Sequence, residues 1–66
     1  MDKDRLDLVM DLFLGLENTM LDLNKEILKF TDKKNKAAGS RARKELSNLA
    51  KKCKSLRQAV QEAKNS

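Results

Sequence analysis

Apolar residues recur along this 66-residue sequence in two rows, at steps that alternate between three and four. The first row comprises Leu6, Val9, Phe13, Leu16, Met20, Leu23, Ile27 and Phe30. The second row comprises Gly39, Ala42, Leu46, Leu49, Cys53, Leu56, Val60 and Ala63. This spacing places each row on one side of an α-helix and is typical of helices that pack lengthwise. Because no stretch alternates with period two, the pattern predicts an all-α protein.

The two rows match each other when the chain folds back between them. Phe30 then faces Gly39, Leu6 faces Ala63, and all eight facing pairs share one antiparallel register. Large residues often face small ones, which fills each layer and lets the helices approach closely. The sequence therefore predicts an antiparallel two-helix hairpin with coiled-coil-like packing, in which Cys53 is a buried small apolar residue.

The boundaries of this hairpin follow from polar residues between and before the rows. We expect a single domain over residues 1–66, with a helix over about 4–31, a turn over about 32–35 and a basic helix over about 36–64. Asp2 or Asp4 is suited to cap the first helix. Asn35 is the preferred cap of the second helix, with Ser40 as its rival.

The first helix carries more apolar surface than one partner helix can cover. A further row lies beside the first one and consists of Met10, Leu14, Leu21 and Leu28. Together the two rows span an arc of about 160°, wider than the stripe of a two-helix contact. A contiguous exposed patch of this kind is rare on monomers, so we expect a homodimer of hairpins, a four-helix bundle with the first helices inside. A slightly apolar monomer surface is the alternative.

Charge is divided unequally between the two halves of the chain. Residues 1–32 hold four cations and eight anions, a net of −4, whereas residues 33–66 hold eleven cations and two anions, a net of +9. Such a positive field is typical of polyanion binding, and DNA or RNA is the commonest polyanion in cells. The alternative is a solvated face with cross-helix ion pairs, such as Glu17 with Arg57. The predicted DNA-binding residues are Lys33, Lys34, Lys36, Arg41, Arg43, Lys44, Lys51, Lys52, Lys54 and Arg57.

Composition argues against several other classes of function. Tyr and Trp are absent and both Phe lie in the first row, so base stacking is unavailable and contacts should be to phosphates. With no His and one Cys, we expect no metal site, no cofactor, no small-molecule substrate and no enzymatic activity. The longest apolar run, Leu12–Leu14, is too short for a membrane span. Membrane-surface binding is also not expected, since the basic and apolar faces lie on different helices.

The segment Asn35–Lys44, which reads NKAAGSRARK, resembles the bacterial linker-histone-like nucleoproteins of the chlamydial type and their short relatives in other bacteria and large DNA viruses. The closing QEAKNS is also similar to the short members, and the resemblance covers about residues 33–66. It implies a non-sequence-specific, chromosome-compacting protein that binds double-stranded DNA. It also implies a cytoplasmic, nucleoid-associated location, or packaging with a viral genome. The positions that it carries over as DNA contacts are Lys36, Arg41, Arg43 and Lys44.

A different class of function is left open by the sequence. An oligomeric helical interaction protein could use the basic face to bind an acidic protein partner or RNA.

Overall fold

The computed structural model describes residues 1–66 and contains two helices, α1 (Lys3–Lys33) and α2 (Lys36–Lys64). They pack side by side in opposite directions and form a rod of 48 × 14 × 11 Å. The predicted all-α hairpin is therefore confirmed. The α1 helix continues two residues beyond the expected end at residue 31, so the turn consists of Lys34 and Asn35 alone. Neither helix combines the length and the apolar character needed to cross a membrane.

Side-chain caps fix the start of both helices. The Asp2 carboxylate accepts a hydrogen bond from the backbone N–H of Asp4 at 2.9 Å. The Asn35 side chain accepts one from the N–H of Ala38 at 3.2 Å, so Asn35 and not Ser40 begins α2. Between the helices, Lys34 adopts the left-handed conformation with φ 53° and ψ 36°. A left-handed residue at this point ends a helix and frees the chain to reverse, and the usual residue there is glycine.

Contacts at both ends of the rod fix the register of the two helices. At the end that carries the termini, which we call the open end, Arg5 donates a hydrogen bond to the carbonyl of Glu62 at 3.1 Å. At the end that carries the turn, the ring of Phe30 lies against Gly39, where an added Cβ would be 2.8 Å from two ring carbons. The predicted pairing of Phe30 with Gly39 is thus confirmed, and with it the antiparallel register.

Each helix is rotated about its own axis relative to the prediction, so a different set of residues lies between the two helices. The buried residues are Thr19, Leu23, Ala38, Ala42, Ala59 and Ala63. Phe13 and Met20, which we expected inside, are 42% and 51% exposed, whereas Leu12 is half-buried. Four alanines let the helices approach closely, and the bulky side chains of the predicted rows then lie at the side of the contact. The large residues of those rows that are exposed are Leu6, Phe13, Met20, Ile27, Phe30, Leu46 and Val60.

The prediction that Cys53 is buried is wrong. Cys53 is exposed, because the rotation of α2 turns the row of Leu46, Cys53 and Val60 outwards.

The hairpin consequently has two different long sides. At one side, a groove near the turn is lined by Ile27, Phe30 and Leu46, and another near the open end by Leu6 and Val60. We call this side the apolar edge and define it by Leu6, Phe13, Met20, Ile27, Leu46, Cys53 and Val60. The opposite side holds a groove lined only by polar residues, which are Asp22, Lys25, Glu26, Arg41, Lys44 and Glu45. We call this side the polar edge.

The close contact of Phe30 with Gly39 leads to a test of the fold. Gly39→Leu is expected to destabilise the hairpin by about 1–3 kcal/mol, because the larger side chain overpacks this layer. In a chain of this size, each kcal/mol corresponds to a fall of roughly 4–8 °C in the thermal midpoint, which circular dichroism measures. Gly15→Ala is the matched control, since no atom lies within 4 Å of its added Cβ. It should raise stability by about 0.5–1 kcal/mol, the usual gain for Gly to Ala inside a helix. An unchanged midpoint for Gly39→Leu would contradict the tight contact with Phe30.

Candidate nucleic-acid interface

One line of cations runs along α2 beside the apolar edge. Lys36, Arg43, Arg57 and Lys64 are separated by multiples of seven residues, so they lie on one side of the helix. Lys36 and Arg43 share the groove of Ile27 and Leu46, and all four cations are exposed. The line is interrupted once, at position 50, by alanine. A line of this kind presents positive charge over most of the length of the rod.

A second group of cations covers the outer side of α2. Lys44 and Lys51 are seven residues apart, and both are exposed. A shallow polar groove on this side is lined by Arg43 and Lys44 together with two serines, Ser40 and Ser47. Serine hydroxyl groups are common donors to phosphate oxygens, as are Lys and Arg. Sequence reasoning missed both serines as candidate contacts, although their seven-residue spacing on either side of Arg43 and Lys44 was a signal that could have found them.

The turn adds cations at one end of the rod. Lys33, Lys34 and Lys36 are all exposed and make no ion pair. Over residues 25–44 eight cations face only two anions, Glu26 and Asp32, which gives the turn end a net side-chain charge of +6. At the open end, residues 1–12 and 58–66 hold three cations and five anions, a net of −2. The two ends of the rod therefore carry net charges of opposite sign, positive at the turn end and negative at the open end.

Two of the predicted DNA-binding residues are engaged within the hairpin. The Nε of Arg41 donates to a carboxylate oxygen of Glu26 at 2.7 Å, and the Glu26 side chain is only 17% exposed. The ammonium group of Lys52 donates to the hydroxyl oxygen of Thr19, which is the one buried polar side chain. The Thr19 hydroxyl in turn donates to the carbonyl of Gly15 at 3.2 Å. Arg41 and Lys52 thus hold α2 against α1 along the polar edge.

The other predicted DNA-binding residues have no acidic partner. The hairpin forms three ion pairs, of Asp2 with Arg5 and of Glu26 with Lys29 and Arg41. The possible pair of Glu17 with Arg57 is not formed. We call the eight predicted DNA-binding residues that form neither an ion pair nor a side-chain hydrogen bond within the hairpin the basic surface. They are Lys33, Lys34, Lys36, Arg43, Lys44, Lys51, Lys54 and Arg57.

This arrangement suits the binding of an extended polyanion. Fixed cations on a rigid helix can neutralise a series of phosphates. The expectation that both Phe are covered is wrong, because Phe13 and Phe30 are 42% and 46% exposed, but both belong to α1 and not to the helix that carries most of the cations. No group of three or more His, Cys, Asp or Glu side chains is placed to hold a metal ion.

Comparison with known protein families places most of the chain in a described family. The model of a protein family described as histone H1-like protein Hc1 matches residues 10–66, which include most of α1 and all of α2. No curated protein and no solved structure matches the chain.

Proposed function

Because the chain belongs to the histone H1-like Hc1 family, we propose that it binds double-stranded DNA through its phosphates and compacts it without regard to sequence. The observation that carries the proposal is the basic surface, eight exposed cations that no acidic side chain of the hairpin neutralises. The family is one of structural DNA-binding proteins and not of enzymes. The protein accordingly acts on the nucleoid in the cytoplasm, or on a packaged viral genome.

Binding would be driven by the release of counterions. Each Lys or Arg that neutralises a phosphate frees cations that had condensed on the duplex, and this gain does not depend on the base pair. Arg43 can donate two parallel hydrogen bonds to one phosphate, whereas Lys44 and Lys51 act as compact point charges. Ser40 and Ser47 add neutral donors beside them. Because every one of these groups is directed at the backbone, the complex should tolerate any sequence.

Compaction also requires that one particle contact more than one stretch of DNA. A single hairpin has one basic helix and buries only six residues, among which Leu23 is the one large apolar side chain. A core this small seldom supplies enough stability at this chain length without assembly or cross-links. We therefore include a homodimer in the proposal, formed through the exposed apolar residues of α1, so that each particle carries two basic surfaces.

A salt titration tests the proposed mode of binding. If six of the eight cations contact phosphates, the logarithm of the affinity should fall against the logarithm of salt concentration with a slope of about −5, at about −0.9 per contact. Between 50 and 200 mM salt this corresponds to a loss of roughly 10³-fold, measured by fluorescence anisotropy with a labelled duplex.

Competition with other ligands provides the controls for this titration. A·T-rich and G·C-rich duplexes of equal length should compete within a few-fold of each other. A salt-independent affinity or a strong preference for one sequence would contradict phosphate-led binding. Preferential binding of duplex RNA, or of an acidic protein, would show that DNA is not the partner.

A further inference from the structure

The hairpin exposes far more surface than a compact monomer of its mass. Its accessible area is 5308 Å². A compact 7.5 kDa monomer would expose about 4,250 Å², so the excess is roughly 1,000 Å². That excess is close to the area of about 800 Å² that each partner buries in a standard protein interface. The surplus is thus sufficient for one stable interface with a second copy.

Exposed apolar residues on the outer side of α1 form a row suited to such an interface. Leu14, Leu21 and Leu28 follow each other at seven-residue steps and are 50%, 61% and 49% exposed. The row is symmetric about Leu21, since a leucine lies seven residues before it and another seven residues after it. A second α1 can therefore meet this row leucine against leucine in either direction, with Leu21 near the centre.

Two polar residues between these leucines distinguish the two directions. Glu17 lies four residues before Leu21, and Asn24 lies three residues after it. In a parallel pair, Glu17 would meet the same carboxylate of the second copy, and two like charges would be brought together away from water. In an antiparallel pair centred near Leu21, each Glu17 comes close to the partner's Asn24, whose amide can donate a hydrogen bond to the carboxylate. The antiparallel direction thus satisfies both polar groups.

The charge along the rod favours the same direction. A parallel pair would place two turn ends of +6 side by side, whereas an antiparallel pair places each turn end beside an open end of −2. Packed helices are about 8–10 Å apart, which is about one Debye length at physiological salt, so screening reduces this difference without removing it.

We propose that the partner of the outer leucine row is a second copy of this chain, packed antiparallel with the two-fold axis near Leu21. The two turns then lie at opposite ends of the dimer, with the two Asn35 residues separated along the axis by about 42 Å at 1.5 Å per residue. If the proposed function is correct, turns this far apart contact separate segments of DNA, and the dimer bridges them.

Spin-label distances in the absence of DNA test the direction of packing. Single cysteines are introduced at Asp32 and, in another variant, at Asn18, both in a Cys53→Ala background; both positions are exposed. An antiparallel dimer places the two labels at residue 32 about 33 Å apart along the axis, and the two labels at residue 18 only about 9 Å apart along it. A parallel dimer would give a short distance, below roughly 20 Å, at both positions.

The possible results separate the proposals. A long distance at residue 32 together with a short one at residue 18 supports the antiparallel dimer. Short distances at both positions overturn it in favour of parallel packing, and no coupling at residue 18 overturns the interface itself. None of these results depends on DNA, so they do not decide phosphate binding, which the salt titration tests separately. Sedimentation of the Cys53→Ala protein beside the wild type checks that the background substitution leaves the assembly unchanged.

Discussion

A double substitution, Leu14→Glu with Leu21→Glu, is expected to abolish the dimer and to unfold most of the chain at micromolar concentration. Full burial of an exposed leucine contributes about 1.5–3 kcal/mol, and these two side chains are still 50% and 61% exposed in the hairpin, so the two substitutions remove about 1.5–3 kcal/mol per chain. They also bring four carboxylates into the interface of each dimer. A core of this size supplies about 3–5 kcal/mol in total, which means that the two effects together are comparable with the stability of the hairpin. Sedimentation equilibrium measures the mass, and circular dichroism measures the helix content.

Leu8→Glu is the matched control for this pair. Leu8 is 48% exposed, close to the 50% of Leu14, but it lies outside the outer leucine row. Its substitution should therefore leave the mass and the helix content near those of the wild type. Two results would refute a dimer through this row. One is a wild type that is monomeric and well folded at micromolar concentration. The other is a double variant that keeps the mass of the wild type.

The second large effect is expected for DNA binding. Reversing Arg43 and Lys44 to glutamate removes two phosphate contacts per chain and adds repulsion. The loss of two contacts alone corresponds to about 60-fold in affinity at 0.1 M salt, and it makes the salt slope less steep by about 1.8. Arg41 is left unchanged, because its substitution would break the ion pair with Glu26 and would confuse a loss of binding with a loss of folding.

Reversal of Lys3 and Lys25 is the control for net charge. Both residues lie on α1, are exposed and form no ion pair, so their reversal changes the charge of the chain by the same amount without touching the basic surface, and it should weaken binding only slightly. Circular dichroism should show helical spectra for both variants. Equal losses of affinity in the two would mean that overall charge, and not the surface on α2, determines binding.

The hairpin and its register were predictable because they depend on many residues at once. Eight facing pairs agree on one register, and a shift of either helix would lose that agreement along its whole length. The start of α2 at Asn35 was also predictable, since an amide side chain at this point satisfies a free N–H of the first turn.

The rotation of the helices was not predictable from spacing. The row of Phe13 and Met20 and the row of Leu12 and Thr19 both alternate steps of three and four, and they share Leu16. They differ by a rotation of about 50°, half of the angle between successive residues. The sequence favours the first row because it is the more apolar. Within one hairpin the row of Leu12 and Thr19 packs against α2. Alanines of α2 opposite this row allow the two helices to approach closely, and Thr19 forms hydrogen bonds with Lys52 and with the carbonyl of Gly15.

The same rotation explains which site residues were correctly placed. Residues on the outer side of α2, such as Lys44 and Lys51, are exposed for either rotation, so their accessibility followed from the sequence. Lys52 is adjacent to Cys53, and a small rotation of α2 exchanges their environments. Its hydrogen bond to Thr19 could only be seen once the faces of both helices were known.

The left-handed residue in the turn has a consequence for how stability and affinity are related. A residue with a Cβ costs roughly 1–2 kcal/mol in this conformation relative to glycine, a large part of the stability of so small a protein. The chain nevertheless has Lys34 there, at an exposed position of its positive end. Glycine would relieve the strain but would remove a charge where a phosphate can approach from several directions. Selection for a more stable turn and selection for tighter binding would therefore favour different residues at this position.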